Sequence, residues 1–355
     1  MLASGSSKLH DVVKGADNEI RKQVLQGAFY SASMSKTHRS TWMRPSQVIR
    51  VFVSSTFTDT KFERDALMDR MQYFIREEGR KYGVQFTFMD MRTGIRDENT
   101  KLHRTLIECV NGINMCKLES MGLCFLSLQS EKYGYRPLPK LLNMGDFDAY
   151  VDAAVTSGKC SEEIKQLLYK WYVLDTNAHP NAQYVLVNLT STGDKEYWDA
   201  FALMFPVLEG FVFDKAIGLE VGQSVTEWEV RVACSAVPVD LMDRRDSAFM
   251  WSHRELKDLD RSDENFYDKL PQLDRVASLK ALMGQVFDPS MVKIYSDSAV
   301  VTVGDMKAGL DENNLAQSAY LEQYETFVRD KLMHSLKSVK DQLSAWTKFR
   351  VCERG

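Results

Sequence analysis

The chain has 355 residues, 44% hydrophobic and 26% charged, enough for one large core or two ordinary ones. A net charge of −4 and a pI near 6.0 give no general footing for nucleic acid or an anionic membrane as partner. The longest apolar runs are far too short to span a membrane, and the N-terminal MLASGSSKLHDVVKG lacks a signal-like apolar core. With six scattered cysteines and no CxxC, the expected setting is the reducing cytoplasm.

Residues 1–46 hold a short helical stretch at 17–28, then a Ser-, Lys-, Arg- and His-rich run that reads as a mobile arm. Regular structure begins at 49–60, IRVFVSSTFTDT. Ile49, Val51 and Val53 alternate with Arg50 and Phe52, which predicts a buried strand. It breaks into the hydroxyl run Ser54, Ser55, Thr56 and ends at Asp59 and Thr60. Thr60 and Glu63 have capping-box spacing, so a helix is expected at once. Leu67, Met71, Phe74, Ile75 and Tyr82 carry it from 61 to 82, and Gly83 stops it. A strand at 84–91, a charged loop at 92–99 and a helix bearing Leu102, Leu106, Cys109, Val110 and Ile113 follow. The near-continuous apolar run 121–128, MGLCFLSL, fits a parallel strand covered on both faces. This βαβαβ series predicts one open sheet with right-handed crossovers.

Beyond the loop 129–139, QSEKYGYRPLP, expected elements are a helix at 161–174, a strand at 183–189 and helices at 196–213 and 224–234. A strand at 247–256 follows. After a charged connector at 258–264 come a helix at 271–287, a strand within 291–303, a turn at 305–312 and a long helix to about 346. Its stripe is Leu321, Tyr324, Val328, Leu332, Leu336, Val339, Leu343 and Trp346.

Motif chemistry is sparse. There is no Walker A, GxGxxG, HExxH, zinc-finger spacing or GxSxG, so neither a cofactor nor a metal is expected. One constellation remains. In a flavodoxin-like order the loops after the first and third strands flank the topological switch point. Ser54, Ser55, Thr56 and Asp59 would then meet Ser130, Glu131, Tyr133 and Arg136 around a crevice. Two readings stay open: a binding or acid/base site, or a structural set in which Glu131 pairs with Arg136 or Arg64.

The stretches RVFVSSTFTDTKFERDAL, FMDMRTGIRDE, CFLSLQSEKYGYRPLP and SVTEWEV resemble the N-terminal region of NACHT and WD repeat domain-containing proteins. That region is a TIR-like module of unknown function, similar also to segments of telomerase-associated and nephrocystin-type proteins. The likeness runs through AFMWSHREL and VKIYSDSAVVTVGDMKAGLD, across roughly 25–350. Thr93 stands where many relatives have Trp, and Gln129 and Ser130 where many have glycine. The resemblance implies a modular signalling NTPase of which this chain is the first part, ending where a NACHT P-loop would be expected to begin. The expected fold is α/β, a TIR- or flavodoxin-like mostly parallel sheet with helices on both faces at 47–256, plus a mainly helical extension at 257–350. The implied function is a non-catalytic protein-interaction module, with other proteins as partners, no nucleic acid or membrane, and weak or no self-association. The alternative is enzymatic. Some TIR domains cleave the nicotinamide–ribose bond of NAD with a glutamate just after the third strand. Glu131 holds that place beside Tyr133, where a carboxylate would stabilise an oxocarbenium-like transition state. The adjacent Lys132 opposes a positively charged nicotinamide.

Overall fold

The alternation at 49–53 forms β1 (Val48–Ser55), which pairs in parallel with β2 (Gln85–Asp90) and β3 (Phe125–Gln129). The computed structural model describes residues 47–91, 102–189, 191, 194–235, 248–256, 261–269, 271–296, 301–308 and 315–352. The expected arm at 1–46 and the loop at 92–99 lie outside them. β3 pairs with β4 (Phe249–Arg254) and β4 with β5 (Val292–Tyr295), again in parallel. The order is β2-β1-β3-β4-β5, a doubly wound sheet whose switch point lies between β1 and β3. The α/β expectation holds. The stretch expected as an extension supplies β5, the edge strand of this sheet.

The chain divides into two compact units. The sheet unit takes the described residues up to 90, then 112–133 and those from 233 on. On one sheet face, Val51, Val53, Phe86, Phe88, Leu126, Leu128 and Met250 share an apolar core with the helical segment after β1. That segment is α1 (Lys61–Asp65), a π-helical turn (Ala66–Met71) and α2 (Gln72–Lys81). The π turn was not expected. On the opposite face Phe52 stacks on Phe125, which meets Phe249 and Phe287 edge-on. In α3 (Thr105–Glu119), a Cβ at Gly112 would sit 3.1 Å from the Phe52 ring. Phe287 follows α4 (Gln272–Val286).

The expected long helix is α5 (Leu315–Cys352), and its stripe from Tyr320 to Val339 is buried in the α1-side core. The helix Val303–Ala308 occupies part of the expected turn at 305–312, because Thr302 and Asp305 exchange hydrogen bonds that start it. Residues 309–312 lie outside the described residues. No described helix is long and apolar enough to cross a membrane.

The second unit takes the described residues within 91–111 and 134–232. Here the expected strand at 183–189 is Gln183–Leu186, the middle of a three-stranded antiparallel sheet with Leu141–Asn143 and Tyr172–Asp175. The helix expected at 161–174 stops at Trp171, since Tyr172 turns into that strand. Helix Met144–Thr156 was not expected; Asn143 caps it by accepting from the Asp146 N–H. Pro206 is tolerated within Lys195–Leu208, two residues from its end. Phe147 anchors the core, touching Tyr169, Tyr172, Tyr184 and Phe211.

Leu332 lies fully buried in the α5 stripe, so Leu332→Ala is expected to cost about 2–5 kcal/mol. The exposed Lys337→Ala on the same helix is expected to stay within about 0.5 kcal/mol. Urea unfolding of the two variants checks this.

Candidate functional site

At the carboxyl end of β1 the backbone turns through 56–60 into α1, and its hydroxyls bond inward. Thr56 donates to Asp59 Oδ1, and Thr60 donates to the Thr56 carbonyl at 2.8 Å. Thr60 therefore makes no side-chain cap, and the expected capping box is absent. The buried Arg64 gathers the turn: its guanidinium donates to Ser55 Oγ at 2.9 Å and to the carbonyls of Thr56 and Phe57. Ser54 is buried within β1.

Glu63 is committed elsewhere. Its Oε1 accepts from Arg254 Nε at 2.6 Å and from the Tyr320 hydroxyl at 2.5 Å, all three side chains being buried. Arg254, at the end of β4, also donates to the Asp59 carbonyl. Sequence reasoning missed this centre. Its only signal was Arg254 closing the mostly apolar strand FMWSHR.

Across the switch point, Asp59 Oδ2 accepts from the Lys132 N–H at 3.2 Å, joining the loops after β1 and β3. Lys132 Nζ pairs with Asp268 at 2.8 Å, and Asp268 accepts the Tyr133 N–H at 2.5 Å. Glu131 is 6% exposed and pairs with Lys280 of α4 at 3.7 Å. Neither Arg136 nor Arg64 is its ion-pair partner, contrary to the sequence-based alternatives. Tyr133 is 0% exposed, which leaves its ring no solvent face for stacking. Ser54, Ser55, Thr56, Asp59, Glu131 and Tyr133 thus share the sheet unit. Arg136 belongs to the second unit, where it pairs with Glu209 at 3.3 Å and lies over the Phe205 ring. Among the described residues no group of His, Cys, Asp and Glu could hold a metal ion.

Burial pushes the Asp59 carboxyl up to about 6, against the Thr56 hydrogen bond and the Arg254 charge. Burial, helped by Lys280, drives His253 down to about 3, so its ring is neutral.

Over 169 residues, 46% of the chain, the sequence is 30% identical to human NACHT and WD repeat domain-containing protein 2. It is 31% identical to the mouse protein of that name over 172 residues, so the chain is homologous to these proteins. The match spans 9% of their length. A stretch of 89 residues is 32% identical to rat telomerase protein component 1, covering 25% of this chain and 3% of that protein. No family model matches, and no solved structure gives a significant match.

The folded Asp59 carboxyl titrates near 6 and an unfolded one near 4, so the folded chain holds the extra proton between those values. Stability contributed by this group is greatest in acid and falls by about 3 kcal/mol as pH rises through that window. Asn at 59 can accept from Lys132 N–H and donate to the Thr56 hydroxyl without carrying charge. Asp59→Asn is therefore expected to raise the unfolding midpoint at about pH 8 and to change it little at about pH 4. Denaturant titrations at the two pH values measure it.

Proposed function

We propose that the chain is a protein-recognition module of the kind of protein its homologues are named for, one with NACHT and WD repeat domains. The observation that carries this reading is the state of the carboxyl-edge loops. Their ionisable groups are engaged within the fold, while Phe57 in the first loop is 65% exposed. Arg64 holds the Phe57 carbonyl, so the ring stands on a fixed backbone. An aromatic on a rigid loop loses little freedom on binding and suits an anchor residue. Tyr73, 71% exposed on the outer face of α2, extends the same chemistry to that helix. The sheet order supports the TIR-like label, and free, mostly buried cysteines support a reducing cytoplasmic setting. Self-association of the isolated chain is weak or absent on this reading.

Burial of Glu131 and Tyr133 and the Lys280 ion pair favour recognition over nicotinamide–ribose cleavage. Purified chain at high concentration is expected to release no more nicotinamide from NAD than Glu131→Ala. Release that the substitution abolishes would replace the recognition reading with the enzymatic one.

The recognition reading itself is tested by quantitative affinity capture with wild-type chain, Phe57→Ser and Tyr73→Ser. A defined set of captured proteins is expected to fall about 10-fold or more in one or both variants, as for an anchor worth at least ~1.4 kcal/mol. Unfolding midpoints should stay unchanged, since both rings are exposed. An identical captured set in all three proteins would remove these surfaces from the function.

A further inference from the structure

The π-helical turn between α1 and α2 places charged side chains that an α-helix would send elsewhere. The Gln72 N–H reaches back five residues to the Leu67 carbonyl, the ladder of a π turn. In an α-helix, residue i+5 lies about 140° round the axis from residue i. The wider turn brings Arg70 back toward the side that carries Asp65 and Asp69. That side borders a groove of about 760 Å³ whose other wall is α5, a volume ordinary for a ligand site. Arg70 Nη2 pairs with Glu325 Oε1 of α5 at 2.8 Å and ties the two walls together.

The groove is apolar below and unbalanced in charge above. Ala66 and Leu321 are its buried floor. Asp65, Asp69, Glu322 and Glu325 line it against Arg70 and Arg329. With Arg70 and Glu325 neutralising each other, three carboxylates face one guanidinium. Arg329 donates to Thr326 Oγ1 on its own helix at 3.3 Å. Among the described residues, the side chains of Asp65, Asp69 and Glu322 have no hydrogen-bond or ion-pair partner. Asp59, Glu63 and Glu131 at the carboxyl edge, by contrast, are all engaged within the fold.

A groove with a surplus of carboxylates repels phosphates and concentrates cations. Its apolar floor adds a second requirement, an aliphatic stem behind the charge. Arginine and lysine side chains meet both. The arginine fork can also engage two carboxylate oxygens at once. Tyr73 and Phe74 are exposed where α2 leaves the π turn, and they extend the surface for neighbouring residues of a peptide.

We propose that the groove between the π turn and α5 docks an arginine- and lysine-bearing segment of a partner protein, with Asp65, Asp69 and Glu322 taking its cations. This rests on the recognition reading and names the chemistry of the partner. Fluorescence anisotropy on the full chain tests it, with a labelled hexapeptide Arg-Leu-Arg-Arg-Leu-Arg as probe. Saturable binding is expected at about 0.05 M salt and about 10-fold weaker binding at about 0.5 M. Asp65→Asn, Asp69→Asn and Glu322→Gln combined should weaken it about 10-fold or more, several modest charge contacts being lost together. Removing two exposed carboxylates elsewhere, Asp274→Asn with Asp341→Asn, should change it less than about 2-fold. Arg329→Gln removes the opposing cation and should tighten binding about 2-fold or more. Spermine, matched for charge, should compete about 10-fold less effectively than unlabelled peptide, because it has no side chains for the floor and the two rings.

Absence of saturable binding, equal weakening by the groove and control substitutions, or weaker binding in Arg329→Gln would overturn the docking site. Spermine competing as well as the peptide would overturn the peptide assignment in favour of a polyamine. Failure here with Phe57- and Tyr73-dependent capture intact would remove the groove and keep the recognition reading. Peptide binding with no such capture would remove that reading and keep the groove's chemistry.

Discussion

One buried carboxylate sets the terms for the carboxyl edge of the sheet. Glu63 takes Arg254 and Tyr320 on a single oxygen, and Arg254 reaches on to the Asp59 carbonyl. Three elements far apart in sequence, α1, β4 and α5, therefore meet at one charge. Removing two ions from water is costly, and their attraction offsets that only when geometry and remaining bonds are good. Such a pair contributes modestly to net stability, yet losing either partner alone strands a buried charge at about 3–5 kcal/mol. The centre acts as a register pin: sheet, first helix and last helix must all be in place for it to be satisfied.

That constraint shapes what this edge can do. In open α/β sheets the carboxyl edge is the usual ligand side, and side chains there normally stay available. Here Thr56, Asp59, Arg64 and Lys132 spend their hydrogen bonds on each other and on the backbone. What remains outward is mostly shape and apolar surface, the currency of recognition. One layer deeper, on β3 and β4, lie the buried Ser127, Gln129 and His253.

Much of the sheet unit was legible because its signals are local. The alternation in β1, the apolar run of β3 and the long stripe of α5 each identify an element without knowledge of its neighbours. Partnership was not legible. Thr60 and Glu63 have the spacing of a capping box, but Glu63 answers to an arginine 191 residues away, which no local pattern encodes. Likewise Glu131 and Arg136 look like a pair in sequence, yet each takes a different partner. In the second unit the elements are short, and Asp146, Asp148 and Asp152 interrupt the apolar spacing of Met144–Thr156. Its Asn143 cap carried the clearest overlooked signal. Ser54, Ser55 and Thr56 were found because they form a conspicuous hydroxyl run; Arg254 was not, because it ends a mostly apolar strand.

The contact between Gly122 and Ser335 bears on how the chain is made. Ser335 Oγ accepts the Leu123 N–H at 3.0 Å across 212 residues, and a Cβ at Gly122 would come within 2.0 Å of that oxygen. The entrance to β3 is thus shaped to receive a helix synthesised long after it. A nascent chain carries β1, β2 and β3 while the helix that shares their apolar core is still untranslated. Any chain released before about residue 340 exposes that surface permanently. Premature termination within α5 would then leave this core open and produce an aggregation-prone species, and the interval between synthesis of β3 and of α5 becomes part of folding.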